Sequence, residues 1–324
     1  MDPVRTGVIG VGTWGRNHVR VLASSPEAEL VGVFDLDGGR AREAAAFGGC
    51  RAYDDMDLLL ADSEAVCVAV PTTAHLHVTL GAIERGVHVL VEKPIASTPA
   101  EADRMAEAAE KDGLVLAVGH LERFNPAVEA LFAEKCHPRF VEIHRLSPFD
   151  VRGLDVSVVL DLMIHDIDVL LRLVDSPLEG LEATGVPVLS SNIDIANARL
   201  RFENGCVANL TASRISLGRT RKIRIFEETR YISVSYTDQT VTVYRRSGDL
   251  PPPRELTPES FARLIERRDP AVEKGEPLKI EILHFLRAVR GEEAKIVTPV
   301  QAADALRVAH RILEKMDGGH GSGP

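Results

Sequence analysis

The stretch Arg5-Thr6-Gly7-Val8-Ile9-Gly10-Val11-Gly12-Thr13-Trp14-Gly15 runs a strand-like apolar pattern straight into a G-x-G-x-x-G turn. Helical periodicity follows from Asn17 to Ser24. Strand, glycine turn and helix in that order are the context in which the motif carries meaning. The first two glycines allow a tight turn and let a pyrophosphate approach backbone N–H groups, and the third lets helix and strand pack closely. The helix N-terminus adds partial positive charge. Gly10, Gly12, Thr13, Trp14 and Gly15 are therefore candidate dinucleotide contacts. Asp35 ends the next strand-like run, 20 residues past Gly15. A carboxylate there receives the adenosine ribose hydroxyls and repels a 2′-phosphate, which favours NAD over NADP. Arg40 and Arg42 follow closely and keep NADP open. The bland alternative is a glycine-rich turn with no ligand.

Outward from this segment, Leu30 to Phe34, Ala65 to Val70, Val87 to Val91 and Val115 to Val118 read as strands. Gly39 to Phe47, Ala74 to Arg85 and Pro99 to Lys111 read as helices between them. Alternation at this spacing predicts right-handed βαβ units around a doubly wound parallel sheet covered on both faces. The rhythm changes after residue 122. Phe140 to Arg145 reads as a strand and Val156 to Val174 as an amphipathic helix. From Leu181 to Tyr244 short strands recur, with a hairpin at Glu203-Asn204-Gly205-Cys206. That pattern predicts an open, mostly antiparallel sheet with one polar face. Helices return at Ile280 to Val289 and Pro299 to Met316. The fold class is α/β, with domains at 1–122 and 123–317, a C-terminal helix able to pack back on the first, and a flexible tail over 318–324.

The chain has 324 residues, enough for two domains with their own cores. Its net charge of −10 makes it a poor general binder of nucleic acid or of an anionic membrane. No apolar run is long enough to span a bilayer. The opening MDPVRTGVIG lacks the basic and apolar regions of a signal peptide. Cys50, Cys67, Cys136 and Cys206 are widely spaced and form no C-x-x-C. Free thiols in a cytoplasmic protein are the simple reading.

Two further constellations carry chemistry. Lys93, in Val91-Glu92-Lys93-Pro94, falls at the carboxyl edge of the fourth predicted parallel strand, the usual ligand crevice of such sheets. A lysine there can hydrogen-bond a nicotinamide ribose and a substrate hydroxyl and stabilise a developing alkoxide; otherwise it is a surface residue at a strand end. Asp161 and His165 stand four apart on one predicted helix face, with Asp168 and Arg172 extending the stripe. A histidine beside a carboxylate suits general-base work near neutral pH; a solvated polar face is the alternative. A metal site would need a third ligand, and none is evident.

Glu92-Lys93-Pro94, Gly119-His120-Leu121-Glu122-Arg123-Phe124-Asn125-Pro126, the run from Asp161 to Asp168 and the run from Asp194 to Leu217 together resemble the Gfo/Idh/MocA oxidoreductase family, over nearly the full chain. The resemblance implies an N-terminal Rossmann domain, a C-terminal α/β domain and no metal. It implies NAD-dependent oxidation of the 3-hydroxyl of UDP-N-acetylglucosamine, feeding 3-amino sugar and lipid A synthesis, with a downstream aminotransferase as metabolic partner. Relatives acting on UDP-N-acetylglucosaminuronate, other sugars or cyclitols, or binding NAD(P) as regulators without turnover, are the alternatives. His165 becomes the expected base, assisted by Lys93 and Asp161. Pro71, Thr72 and Glu92 are expected to border the cofactor, Trp14 to pack over it or a neighbouring loop, and Arg123 and Asn125 to face the substrate. His120 is expected to line the pocket, whereas His75 and His77 are left as structural helix histidines. A UDP-sugar also needs a diphosphate partner. Arg145, Arg152, Arg214 and Arg219 are candidates, with Arg152 and Arg214 first. Relatives further imply homodimers or homotetramers built sheet to sheet.

Overall fold

The computed structural model describes residues 2–149, 156–248, 257 and 263–318. The chain divides into two compact units, residues 1–124 with 276–307 and residues 125–275 with 308–324. The first unit thus takes in 276–307, which the sequence reading assigned to the second domain.

In the first unit β1 (Val4–Ile9), α1 (Thr13–Ala23), β2 (Ala28–Phe34), α2 (Gly38–Gly48), β3 (Arg51–Tyr53), α3 (Met56–Asp62), β4 (Ala65–Val68), α4 (Thr72–Ile83), β5 (His88–Glu92), α5 (Pro99–Lys111) and β6 (Leu116–Gly119) alternate along the chain. The strands form one parallel sheet in the order β3-β2-β1-β4-β5-β6. All four residues of β4 are buried, as a central strand covered on both faces requires. Local signals set the helix starts. Asp37 accepts hydrogen bonds from the Gly39 and Arg40 N–H groups, and Thr98 and Glu101 form a capping box ahead of α5. The sequence reading lacked β3 and α3. β3 is a three-residue strand at the sheet edge with only Tyr53 buried, so it carries no apolar run to detect. A helix over Pro277–Val289, α8, adds Leu278, Ile282, Phe285 and Leu286 to the core formed by Val8, Val19 and Leu22.

The second unit contains α6 (Pro126–Ala133), β7 (Phe140–Leu146), α7 (Ile164–Val174), β8 (Leu178–Val186), β9 (Ile195–Phe202), β10 (Val207–Ser213), β11 (Thr220–Phe226), β12 (Arg230–Ser235), β13 (Thr240–Arg246) and β14 (Ile265–Arg268). These strands form a sheet in the order β14-β13-β12-β11-β7-β10-β9-β8, antiparallel except where β7 meets β10. Along β9 every second residue is buried, and Ala196, Ala198, Leu200 and Phe202 face the core. A π-helical turn, Val159–Met163, leads into α7, so the predicted helix over 156–174 has a wider first turn. A final helix, α9 (Pro299–Gly318), contributes its residues up to Arg307 to the first unit and the remainder to the second.

Arg145 on β7 and Asp166 on α7 form a buried two-pronged ion pair, Nε to Oδ2 and Nη2 to Oδ1, both at 2.8 Å. The Arg145 guanidinium also lies over the Tyr236 ring, 5.4 Å from its centre. Arg145, a candidate phosphate ligand from sequence, therefore joins sheet to helix. Removing one partner of such a pair leaves the other charged and buried, at a cost of about 3–5 kcal/mol. Arg145→Met should lower the urea midpoint accordingly, measured by far-UV circular dichroism, and Arg145→Met with Asp166→Leu should recover much of the loss.

Candidate active site

The carboxyl ends of parallel strands lie on one edge, so the segments after β1, β2, β4 and β5 gather there. Gly10 has φ +84°, and a Cβ on it would stand 2.7 Å from the Ala69 carbonyl oxygen. A Cβ on Gly15 would stand 1.9 Å from the Gly10 carbonyl oxygen. No side chain is possible at either position without moving backbone. Around Gly12, by contrast, a Cβ would meet nothing within 4 Å. Gly12 is also the N-cap of α1, makes no side-chain cap, and is followed by no acidic residue in the first turn. The first N–H groups of α1 thus open onto clear space with a positive helix end behind them. This cradle fits the diphosphate of a dinucleotide. Trp14, 48% exposed, projects from the same turn.

The Asp35 carboxylate is shaped by the backbone around it. Its Oδ2 accepts the Val11 N–H at 2.8 Å and its Oδ1 the Asp37 N–H at 2.9 Å. Arg40 reaches both Asp35 at 3.4 Å and Asp37 at 3.2 Å. Asp35 therefore braces the glycine turn from the neighbouring strand. Pro71 caps the start of α4 and Thr72 begins it, on the same edge.

Glu92 ends β5 and is held from α1. The His18 Nε2 stands 2.8 Å from Glu92 Oε1, with both side chains largely out of solvent. Burial alone would raise the Glu92 carboxyl, but the hydrogen bond and charge of His18, with Lys93 nearby, bring it below the ordinary value. Burial opposes the His18 imidazolium, yet neighbouring Cys67 and Glu92 raise it well above the ordinary imidazole value. Each shift favours the charged form of its own group. Glu92 Oε2 accepts the Lys93 N–H at 3.3 Å, and the Lys93-Pro94 peptide is cis. Lys93 itself is half-buried. Sequence reasoning missed His18; its one signal was a histidine three residues after Gly15, inside the glycine-motif helix.

In the second unit Asp161 lies in the π-helical turn and His165 in the first turn of α7. Both are half-buried, whereas Met163, Ile164, Asp166 and Ile167 around them are buried. The expected stripe breaks after His165, because Asp168 is buried and Arg172 is exposed, stacked on the Phe132 ring at 4.4 Å. Other expectations shift as well. The Asn125 Oδ1 caps α6 by accepting the Ala127 N–H, and its Nδ2 donates to the Tyr236 carbonyl, so this side chain serves the fold. Arg123 and His120 are buried in the first unit. The Arg214 side chain is 5% exposed, donates to the Val156 carbonyl and faces Asp194 at 3.9 Å. Burial would raise the Asp194 carboxyl, but hydrogen bonds from Ser190 and the N–H groups of Val188, Leu189 and Ser190 bring it to about 2. Arg214 thus balances a buried carboxylate and is no surface phosphate ligand. Arg219, exposed just before β11, remains open to solvent. Arg152 lies outside the described residues. Among the described residues no three His, Cys, Asp or Glu side chains are grouped to hold a metal ion, and all four cysteines are free thiols.

Comparison with known proteins places this geometry in a class. Residues 4–120 match the family model described as the GFO/IDH/MocA oxidoreductase family, NAD-binding Rossmann fold, and residues 137–233 match the GFO/IDH/MocA C-terminal domain. The chain belongs to this family of oxidoreductases, which are dehydrogenases built on a nicotinamide-cofactor domain. Among individual relatives, a UDP-N-acetylglucosamine 3-dehydrogenase of Acidithiobacillus ferrooxidans is 40% identical over 292 residues, 89% of this chain and 90% of that one. A solved structure of the enzyme of that name from the same organism has a TM-score of 0.89 at 36% identity, covering 98% of this chain and 99% of that chain. A myo-inositol 2-dehydrogenase of Thermotoga maritima is 28% identical over 76% of this chain and 80% of its own. No helix among the described residues is long and apolar enough to cross a membrane.

The His18–Glu92 pair has a defined pH signature. A depressed carboxyl stabilises the fold above its ordinary value of 4.5 and loses that contribution as pH falls through the folded value. A raised imidazole stabilises below its ordinary value of 6.5 and loses that contribution as pH rises through the folded value. The melting-temperature gap between wild type and His18→Leu should therefore be widest between these two values and narrow on either side, as followed by scanning calorimetry across pH. A gap that stays constant with pH would mean the pair is not ionised.

Proposed function

We propose that the protein oxidises the 3-hydroxyl of UDP-N-acetylglucosamine to the 3-keto sugar with NAD. The observation that carries this reading is the 40% identity over 89% of the chain to an enzyme of that name. The bound cofactor supplies the hydride acceptor, so the protein's task is to orient the sugar and manage one proton. Lys93 donates a hydrogen bond to the reacting hydroxyl oxygen and stabilises the negative charge that develops there. His165, with Asp161 on the same helical face, takes the hydroxyl proton. Asp35 favours NAD, since its carboxylate repels a 2′-phosphate and Arg40 is already engaged by Asp35 and Asp37. The diphosphate of the sugar nucleotide needs a cation on a chain of net charge −10, and exposed Arg219 takes the place first given to Arg214.

The keto product is the substrate type of an aminotransferase, and this supports a role in 3-amino sugar and lipid A synthesis with such an enzyme as the metabolic partner. A cytoplasmic setting suits its four free thiols. Copies assemble through the outer face of the second sheet, where Phe140, Phe226, Tyr231 and Tyr244 stack in a half-buried aromatic ladder. An inositol dehydrogenase is the second reading, favoured by the Thermotoga relative.

NADH absorbance should rise when the protein and NAD meet UDP-N-acetylglucosamine, and not with myo-inositol; the reverse result selects the second reading, and silence with both a regulator. Lys93→Ala and His165→Ala should each lower turnover by about 10²–10⁴ while His165→Ala keeps its NAD affinity by calorimetry. Asp35→Ser should weaken NAD binding and narrow its advantage over NADP. For Arg219→Ala, the KM for the UDP-sugar should rise with that for NAD unchanged, the mark of lost substrate binding. Equal KM values in wild type and variant would remove Arg219 from the site.

A further inference from the structure

His75 sits on α4 with only 1% of its surface exposed. Its ring lies between two loops that follow adjacent strands of the parallel sheet, β4 and β5. Nδ1 stands 2.9 Å from the Pro94 carbonyl oxygen and 3.3 Å from that of Ile95. On the other side Nε2 stands 3.0 Å from the Val70 carbonyl oxygen. Carbonyl oxygens only accept, and burial pushes the imidazole below its ordinary value toward the neutral form, whose single N–H is donated on the Pro94 side in one tautomer and on the Val70 side in the other. Beyond the strand ends these carbonyls have left the sheet ladder, and a buried acceptor needs a donor.

We propose that His75 is the positioning residue for Lys93: by holding the Pro94 carbonyl it fixes the backbone from which the lysine side chain reaches the reacting hydroxyl. The proposal rests on the reading of Lys93 given above. On the other flank of the lysine, Glu92 is anchored by His18 at 2.8 Å and itself accepts the Lys93 N–H. Lys93 is thus gripped one residue before and one residue after, by a histidine each time. A shift of about 1 Å in a catalytic group, caused by a change outside the chemistry, can cost on the order of 10² in rate. The ring nitrogens of His75 face the backbone carbonyls of Val70, Pro94 and Ile95, so its loss should leave cofactor contacts in place.

The two ring nitrogens can be tested separately, because the amide nitrogen of Asn overlays Nδ1 and that of Gln overlays Nε2. His75→Asn keeps the Pro94 tie, His75→Gln keeps the Val70 tie, and His75→Phe keeps neither. With NAD and UDP-N-acetylglucosamine, His75→Phe and His75→Gln should lose about 10² in kcat with the KM for NAD nearly unchanged. His75→Asn should stay within about threefold of wild type. A second readout needs no substrate: the rate at which an amine reagent labels Lys93, followed by mass spectrometry, should change in the Phe and Gln variants and return to the wild-type value in the Asn variant. Should Asn and Gln behave alike, with kcat and labelling following melting temperature, His75 is merely structural and the proposal is overturned. Wild-type kcat and labelling in His75→Phe, beside an inactive Lys93→Ala, would also overturn it while leaving Lys93 in its role. Full activity in Lys93→Ala would instead remove the reading of Lys93. If Phe fails to fold, the Asn–Gln comparison still decides.

Discussion

Between Gly10 and Gly15 there is no room for a single carbon atom: a Cβ on the second would lie 1.9 Å from the carbonyl oxygen of the first. That contact sets how closely α1 rides on the end of β1. Because α1 is close, His18, one turn further along, reaches across to Glu92 at the end of β5. Because Glu92 is held, the Lys93 backbone N–H has a fixed acceptor. The same close approach leaves the first turn of α1 uncapped around Gly12, where an anion can be met by backbone N–H groups. One steric constraint thus prepares the cofactor cradle and aligns the edge on which Lys93 stands.

Each unit also spends charged side chains on placement. His18 with Glu92, Arg145 with Asp166 and Arg214 with Asp194 are all largely or fully buried. Burying a lone charge is far costlier than burying a matched pair, so each partner makes the other tolerable. The pairs join elements that the chain separates widely: α1 to β5, and β7 to α7. Their effect is to settle which way α7 turns and where β5 ends, and hence where His165 and Glu92 stand. With 48 acidic against 38 basic side chains, the overall field of the protein works against a phosphate ligand. Two of its arginines are consumed in these pairs, and at the cradle the helix N-terminus does the work that a lysine or arginine would otherwise do.

The glycine turn, the alternation of strand and helix, Asp35 and the Glu92-Lys93-Pro94 segment were legible in the sequence because each is local. A glycine at a close approach, a run of buried β-residues or a capping box states its geometry within a few positions. The second sheet was legible for the same reason, through the alternation of Ala196, Ala198, Leu200 and Phe202. β3 and α3 were not, since a three-residue edge strand has too little apolar pattern to distinguish it from a loop.

What the sequence by itself determined is therefore the class of fold, the cofactor turn and the identity of the residues at the strand ends. Tertiary structure alone decided which polar residues face solvent and which face each other. Arg145 and Arg214 read as ligands from their type and Asn125 from the family resemblance, yet folding brings each against a partner elsewhere in the chain, Asp166, Asp194 and the Tyr236 carbonyl. His18 drew no reading and His75 read as a structural helix histidine, yet packing sets one against Glu92 and the other between Val70 and Pro94. The physical reason is range: a backbone turn is set by neighbours in sequence, whereas the partner of a buried polar group is set by which elements the core brings together.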